Sequence, residues 1–186
     1  YEMTSSLVGS EMCIRDSKVI KHILNSAGIE RFTDYQMDMV RLGIGLYGVS
    51  ASGQKGLRNI STLKTTILQI QNVPAGDSIG YSRMSYVKRD SRIAIIPIGY
   101  ADGLDRHFSN GGGEVVINGH RCPIIGNICM DACMIDVTDT DAHEGDSVII
   151  FGEELPVSEL SDKLKTIPYE ILTSISPRVK RVYYRE

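Results

Sequence analysis

A chain of 186 residues, 42% apolar and 23% charged, is sized for one domain or for one domain and a piece of another. Its formal charge of −3, with both signs interspersed, offers no basic block to a nucleic-acid backbone, and no apolar run approaches the ~18 residues of a membrane span. Four cysteines (Cys13, Cys122, Cys129, Cys133) in a chain with this much core need not staple it, which predicts reduced thiols and a cytoplasmic setting.

Residues 1–17 show neither apolar periodicity nor turn logic and read as a segment unrelated to the rest of the chain. Val19, Ile20, Ile23 and Leu24 fit a helical spacing or a short strand at Ile23-Leu24, and Asn25-Ser26-Ala27-Gly28 reads as a turn or a helix start. Tyr35, Met39 and Val40 predict a further short helix, and RLGIGLYG (41–48) a strand ending in a glycine loop. This is β/α material, but a whole (β/α)₈ barrel needs ~250 residues, so 18–57 holds one or two units at most. The polar loop 51–57 is the predicted boundary, with a second part over 58–186.

Beyond that loop the period changes to two. Residues 61–73 read as one long strand, 78–87 as a second with Tyr81 inside it, and 92–100 as a third. EVVINGHRCPII (114–125) carries the strongest hairpin signal, with Asn118-Gly119 as a type I′ turn. ICMDACMIDV (128–137) and SVIIFG (147–152) come next as strands. Ser158 is the predicted cap of a short helix, Pro168 the first residue of another, and RVKRVYY (178–184) a last strand. The predicted fold is mainly β, a compact barrel-like module.

Spacing argues against a metal site. Cys129 and Cys133, read as one strand, lie roughly 13 Å apart, and His22, His107, His120 and His143 are scattered. Asp102, Asp131 and Asp136 read more simply as turn and edge carboxylates than as a paired acid and base. A tyrosine transfers protons only if its phenol is pulled below ~10. Locally, Tyr81 and Tyr100 therefore read as packed strand residues. Gly43 lets its own amide and that of Ile44 approach an anion, Ser26 is a hydroxyl donor from a neighbouring loop, and Arg41 suits either a surface cation or a ligand with an acceptor atom.

Several motifs, in order and sensibly spaced, change the balance: Asn25-Ser26-Ala27, residues 39–48, Ile98-Gly99-Tyr100-Ala101-Asp102-Gly103, Ile128-Cys129-Met130-Asp131 and Arg178-Val179-Lys180-Arg181. Together residues 18–186 resemble the carboxy-terminal portion of bacterial alanine racemase. The resemblance implies that 18–57 is the remnant of a pyridoxal-phosphate (PLP)-binding (β/α)₈ barrel, succeeded by the family's β-rich domain. It further implies an alanine substrate, a homodimer whose active site is shared between subunits, and D-alanine supply for peptidoglycan precursors. In some bacteria the racemase follows a MurF-like ligase in one polypeptide, which the KRVYYRE ending would suit.

Position by position, the resemblance makes Tyr81 one of two catalytic bases and Arg41 the partner of the pyridine nitrogen. An arginine keeps its proton (pKa above ~12), so the ring nitrogen stays unprotonated and the cofactor is a weaker electron sink. Ser26, Gly43 and Ile44 match phosphate contacts, and Tyr100, Met130 and Asp131 the substrate mouth. Two departures stand out. The cofactor-forming lysine has no counterpart, so this chain by itself is expected neither to hold PLP covalently nor to racemise. Pro177 replaces a phosphate-contacting tyrosine. The alternatives are a racemase of the same fold acting on serine or a broader amino-acid set, and a non-catalytic β-module for dimer or partner contact.

Overall fold

The computed structural model describes residues 20–53, 56–83 and 85–184, so the expectation for 1–17 lies outside the described residues. The chain divides into two compact units, one up to Arg58 and one from Asn59 onward.

In the first unit, α1 (Ser26–Arg31) starts where the Asn25 side chain accepts the Gly28 amide at 3.0 Å, so of the two readings of residues 25–28 the helix start holds. Residues 20–25 form neither helix nor strand. The short helix expected around Tyr35 and Met39 is only a 3₁₀ turn over Thr33–Tyr35. The strand expected over 41–48 is a second 3₁₀ turn, Ile44–Tyr47, ended by Gly48 at φ 77°. Gly43 and Gly45 favour a turn over an extended run. Among the described residues of this unit there is no strand.

The second unit is built on a seven-stranded antiparallel sheet in the order β1-β9-β6-β7-β8-β5-β2. Its strands are β1 (Leu63–Thr66), β2 (Gln69–Val73), β5 (Ser91–Ile96), β6 (Glu114–Ile117), β7 (His120–Ile125), β8 (Cys133–Asp136) and β9 (Ser147–Phe151), while β3 (Ser78–Ile79) and β4 (Ser85–Tyr86) form a separate ribbon. The expected single strand over 61–73 is broken at Ile67-Leu68. There the Ile67 amide donates to Asp146 and the Leu68 amide to Ile95, so β1 pairs with β9 and β2 with β5. These are the two edges of the sheet, joined by two residues. The sheet therefore curls back on itself, as a barrel does.

Alternation fills the interior. Ile96, Ile117, Ile124, Ile135 and Ile150 are all at most 2% exposed, each worth about 1.5–3 kcal/mol of burial. The β6–β7 hairpin turns on Asn118 (φ 49°) and Gly119 (φ 76°), the type I′ geometry expected. Other expectations fail locally. Residues 128–132 are a loop, and only Cys133–Asp136 is strand, so Cys129 does not share a strand face with Cys133. Helix α2 (Val157–Leu164) is entered from Pro156 with no side-chain cap, and Ser158 lies inside it. Helix α3 (Pro168–Ser174) does start on its proline, whose missing N–H costs nothing there. The last strand expected over 178–184 is irregular chain. Among the described residues no helix is long and apolar enough to cross a membrane.

Candidate active site

In the first unit Ser26 is 3% exposed, and its hydroxyl oxygen accepts the amides of Gly43 at 2.8 Å and Gly45 at 3.3 Å. The Gly43 amide thus donates to Ser26 in this structure. Ile44 is 2% exposed. Arg41 is exposed, and one of its guanidinium N–H groups donates to the Ile23 carbonyl at 3.1 Å.

In the second unit Tyr81 is not inside a strand. It sits at the tip of the β3–β4 ribbon with 74% of its surface exposed, because Gly80 (φ 73°), Ser82 (φ 65°) and Arg83 (φ 49°) all take the left-handed conformation. A serine and an arginine in that region each cost on the order of 1 kcal/mol, so packing must impose the turn. Ile79 and Val87 anchor the ribbon in a cluster with Ile93, Val73, Ile125 and Met134. Above them runs a polar chain: Ser85 donates to Asn110 at 2.5 Å, Asn110 to Asn127 at 3.0 Å, and Asn127 to the Tyr81 carbonyl at 3.3 Å.

Asn127 opens the loop that carries Met130 and Asp131. That loop is stitched to the 3₁₀ turn Tyr100–Asp102, since the Tyr100 amide donates to Cys129 and the Ala101 amide to Met130, both at 3.0 Å. Only glycine fits at 99, where a Cβ would lie 2.3 Å from the Cys129 oxygen and 2.4 Å from that of Met130. Tyr100 and Met130 remain 43% and 54% exposed. The Arg106 guanidinium lies 5.9 Å from the Tyr100 ring centroid, within cation–π reach. Beside Tyr100 a groove of about 430 Å³ opens between Arg106, His107, Thr166 and Glu170.

One site residue carries no local signal in the sequence. Arg178 donates from Nε to Asp102 at 2.7 Å and from Nη2 to Asp131 at 2.5 Å. The bonds to Asp102 and then Asp131 hold its pKa above even the usual arginine range, so its charge is permanent. The Arg178-Val179-Lys180-Arg181 motif is visible in the sequence, but nothing local ties it to Asp102 or Asp131.

The family model for the alanine racemase C-terminal domain matches residues 60–183, and that for the alanine racemase N-terminal domain matches 11–51. The chain belongs to the alanine racemase family. Alanine racemase 1 of Caldanaerobacter subterraneus subsp. tengcongensis is 44% identical over 174 residues, covering 89% of this chain and 45% of that protein. The Bartonella henselae alanine racemase, solved with covalently bound pyridoxal phosphate, superposes with a TM-score of 0.87 at 38% identity over 96% of this chain and 51% of that one. The Bacillus anthracis alanine racemase with bound L-Ala-P gives 0.87 at 33% identity, covering 96% of this chain and 49% of that one. The chain thus spans about half the length of the alanine racemases it matches.

The loop 126–132 bonds the Tyr81 carbonyl through Asn127 and the Tyr100 turn through Cys129 and Met130, while Ser26, Arg41, Gly43 and Ile44 lie in the first unit. Among the described residues no group of three or more His, Cys, Asp or Glu side chains is placed to hold a metal.

Proposed function

We propose that the protein containing this chain is a PLP-dependent alanine racemase, interconverting L- and D-alanine by a two-base mechanism for peptidoglycan precursor supply. Residues 18–57 are then the end of its PLP-binding (β/α)₈ barrel and 58–186 its β-rich domain. Two subunits share each active site, Tyr81 and the Tyr100–Met130 mouth of one serving the barrel of the other. A cytoplasmic location follows from that role.

The first unit suits a phosphate-bearing pyridine cofactor. Ser26 accepts two amides through its oxygen, and this leaves the hydroxyl hydrogen as the contact a phosphate oxygen would take. Gly43 and Ile44 supply backbone around that hydroxyl. Arg41 keeps further N–H groups beyond the one given to Ile23, and as a permanent cation it can donate to a ring nitrogen but never protonate it. When bound, PLP supplies the electron sink that acidifies the substrate Cα–H. Tyr81 takes or returns a proton at Cα on one face of the substrate. Met130 offers its backbone amide to the substrate carboxylate, and Tyr100 and Asp131 bound the opening.

The observation that carries this reading is the loop 126–132, which fixes the Tyr81 carbonyl through Asn127 and the Tyr100 turn through Cys129 and Met130. Racemisation by the full-length protein tests it, with Tyr81→Phe as the decisive variant. That variant is expected to keep cofactor absorbance and lose roughly 10²–10⁴-fold in rate. Racemisation at the unaltered rate would remove Tyr81 from the chemistry.

A further inference from the structure

We infer that Arg178 is a positioning residue for the substrate mouth, setting the placement of the Tyr100 turn against the Met130 loop by holding Asp102 and Asp131 with one guanidinium. The inference rests on the racemase reading of that mouth.

The two mouth residues stand on irregular chain. Tyr100 belongs to a single 3₁₀ turn and Met130 to a bend between strands, so neither has a sheet ladder to fix it. Two backbone bonds join the pieces, from Tyr100 to Cys129 and from Ala101 to Met130. Arg178 adds the only side-chain cation that spans both among the described ion pairs. Asp102 lies two residues after Tyr100 and uses its second oxygen to accept the Gly99 amide at 2.9 Å, so its carboxylate also shapes the turn that aims the Tyr100 ring. Asp131 adjoins Met130. A guanidinium is planar, with its N–H groups in fixed directions. Bonds from Nε and Nη2 to two carboxylates therefore set a distance and an angle between the two loops, which a flexible point charge would not.

Arg178 is itself held. The Ser176 amide donates to the Asp102 carbonyl at 3.0 Å, and Arg181 donates to the carbonyls of Ile175, Ser176 and Val179. Gly103, at φ 107°, lets this segment approach closely, since a Cβ there would lie 2.6 Å from the Ser174 oxygen. Removing Arg178 does more than delete two bonds. It leaves Asp102 and Asp131, which had shared one cation, as neighbouring like charges that push the loops apart.

A positioning role and a merely structural one differ in what they disturb. In the full-length protein, Arg178→Ala is expected to raise KM for alanine roughly tenfold with a smaller change in kcat. Arg178→Lys, able to hold one carboxylate, should fall between. Added salt should lower the raised KM of Arg178→Ala, because the uncovered repulsion is screened, and should not do so in the unaltered protein. Amide hydrogen exchange supplies a readout independent of activity. The Tyr100 and Ala101 amides should exchange faster in Arg178→Ala while those of β5 and β8 keep their protection. Should Arg178→Ala fail to fold, Arg178→Lys carries both measurements. Unchanged exchange at Tyr100 and Ala101, or a KM equal to that of the unaltered protein, would overturn the inference. Failure of the unaltered protein to racemise alanine would instead sink the racemase reading, and the exchange result would still decide whether Arg178 holds the two loops together.

Discussion

The side-chain amide of Asn127 donates to the backbone carbonyl of Tyr81, so the exposed tyrosine is located by a residue three positions before Met130. The Asn127 carbonyl in turn accepts from Asn110, which leaves its orientation no freedom to flip. Asn127→Asp keeps size and an acceptor but loses the donor to Tyr81. It is expected to lower kcat with a smaller effect on KM, and to fall short of the loss in Tyr81→Phe. Steady-state racemisation kinetics of the full-length protein check this, and a kcat at the unaltered level would show that the tip holds itself.

Gly99 has an extended backbone that any residue can adopt (φ −145°), so its requirement is one of space alone. Both atoms that an added Cβ would strike are backbone oxygens of the Met130 loop, which cannot rotate away. Gly99→Ala should destabilise the second unit by about 1–3 kcal/mol through forced separation of the two loops. A denaturant titration measures this. Gly119→Ala is the comparison, since it meets nothing within 4 Å and strains only its φ of 76°.

Ser26 is expected to matter before any ligand binds. Ser26→Ala strips the Gly43 and Gly45 amides of their common acceptor in a site that is 3% exposed. A loss of about 1–3 kcal/mol is expected, together with weaker retention of a phosphate-bearing cofactor. Ser26→Thr retains the hydroxyl and should recover part of both. Thermal unfolding and cofactor titration together separate the two contributions.

Burial pushes the Cys133 thiol up to about 12, with the nearby Cys129 adding to it, and the Cys122 thiol up to about 11, with Asp136 and Glu114 adding to it. In the unfolded chain these thiols ionise near ~8.5. The folded values are raised, so this contribution to stability is complete below ~8.5 and is lost as pH climbs from there through 11 to 12. Alkylation at about pH 8 should therefore spare Cys122 and Cys133 in the folded protein and reach them only on unfolding. Mass spectrometry of the alkylated peptides reads the outcome, and rapid modification of Cys133 in folded protein would contradict it.

Where local chemistry decides the structure, the sequence is a good guide. Asn118-Gly119 makes its turn, Pro168 starts its helix, and the change to a period of two announces the sheet. Where distant partners decide, it misleads. Ile67-Leu68 reads as mid-strand because both sides alternate, and only the separate demands of β9 and β5 break it. Ser82 and Arg83 carry no signal for left-handed backbone, so Tyr81 reads as a strand residue until Asn127 and Met134 hold the ribbon tip. Arg178 pairs with carboxylates 47 and 76 positions away, a relationship that leaves no trace in local spacing.

The curl of the sheet has a bearing on timing. β1 cannot pair until β9, more than eighty positions later, has emerged, whereas the β6–β7 hairpin needs only its own two-residue turn. A ribosome releasing this chain in order would thus deliver the local pairings, β3–β4, β2–β5 and then the β6–β7 hairpin, before β9 could close the sheet. Arg178 emerges later still, after β9 and both helices that come after it. Until then Asp102 and Asp131 face each other without their shared cation. The junction of the Tyr100 turn with the Met130 loop is then the last part of the unit to take shape, and a ribosome stalled before residue 178 would hold a closed sheet with that junction unfinished.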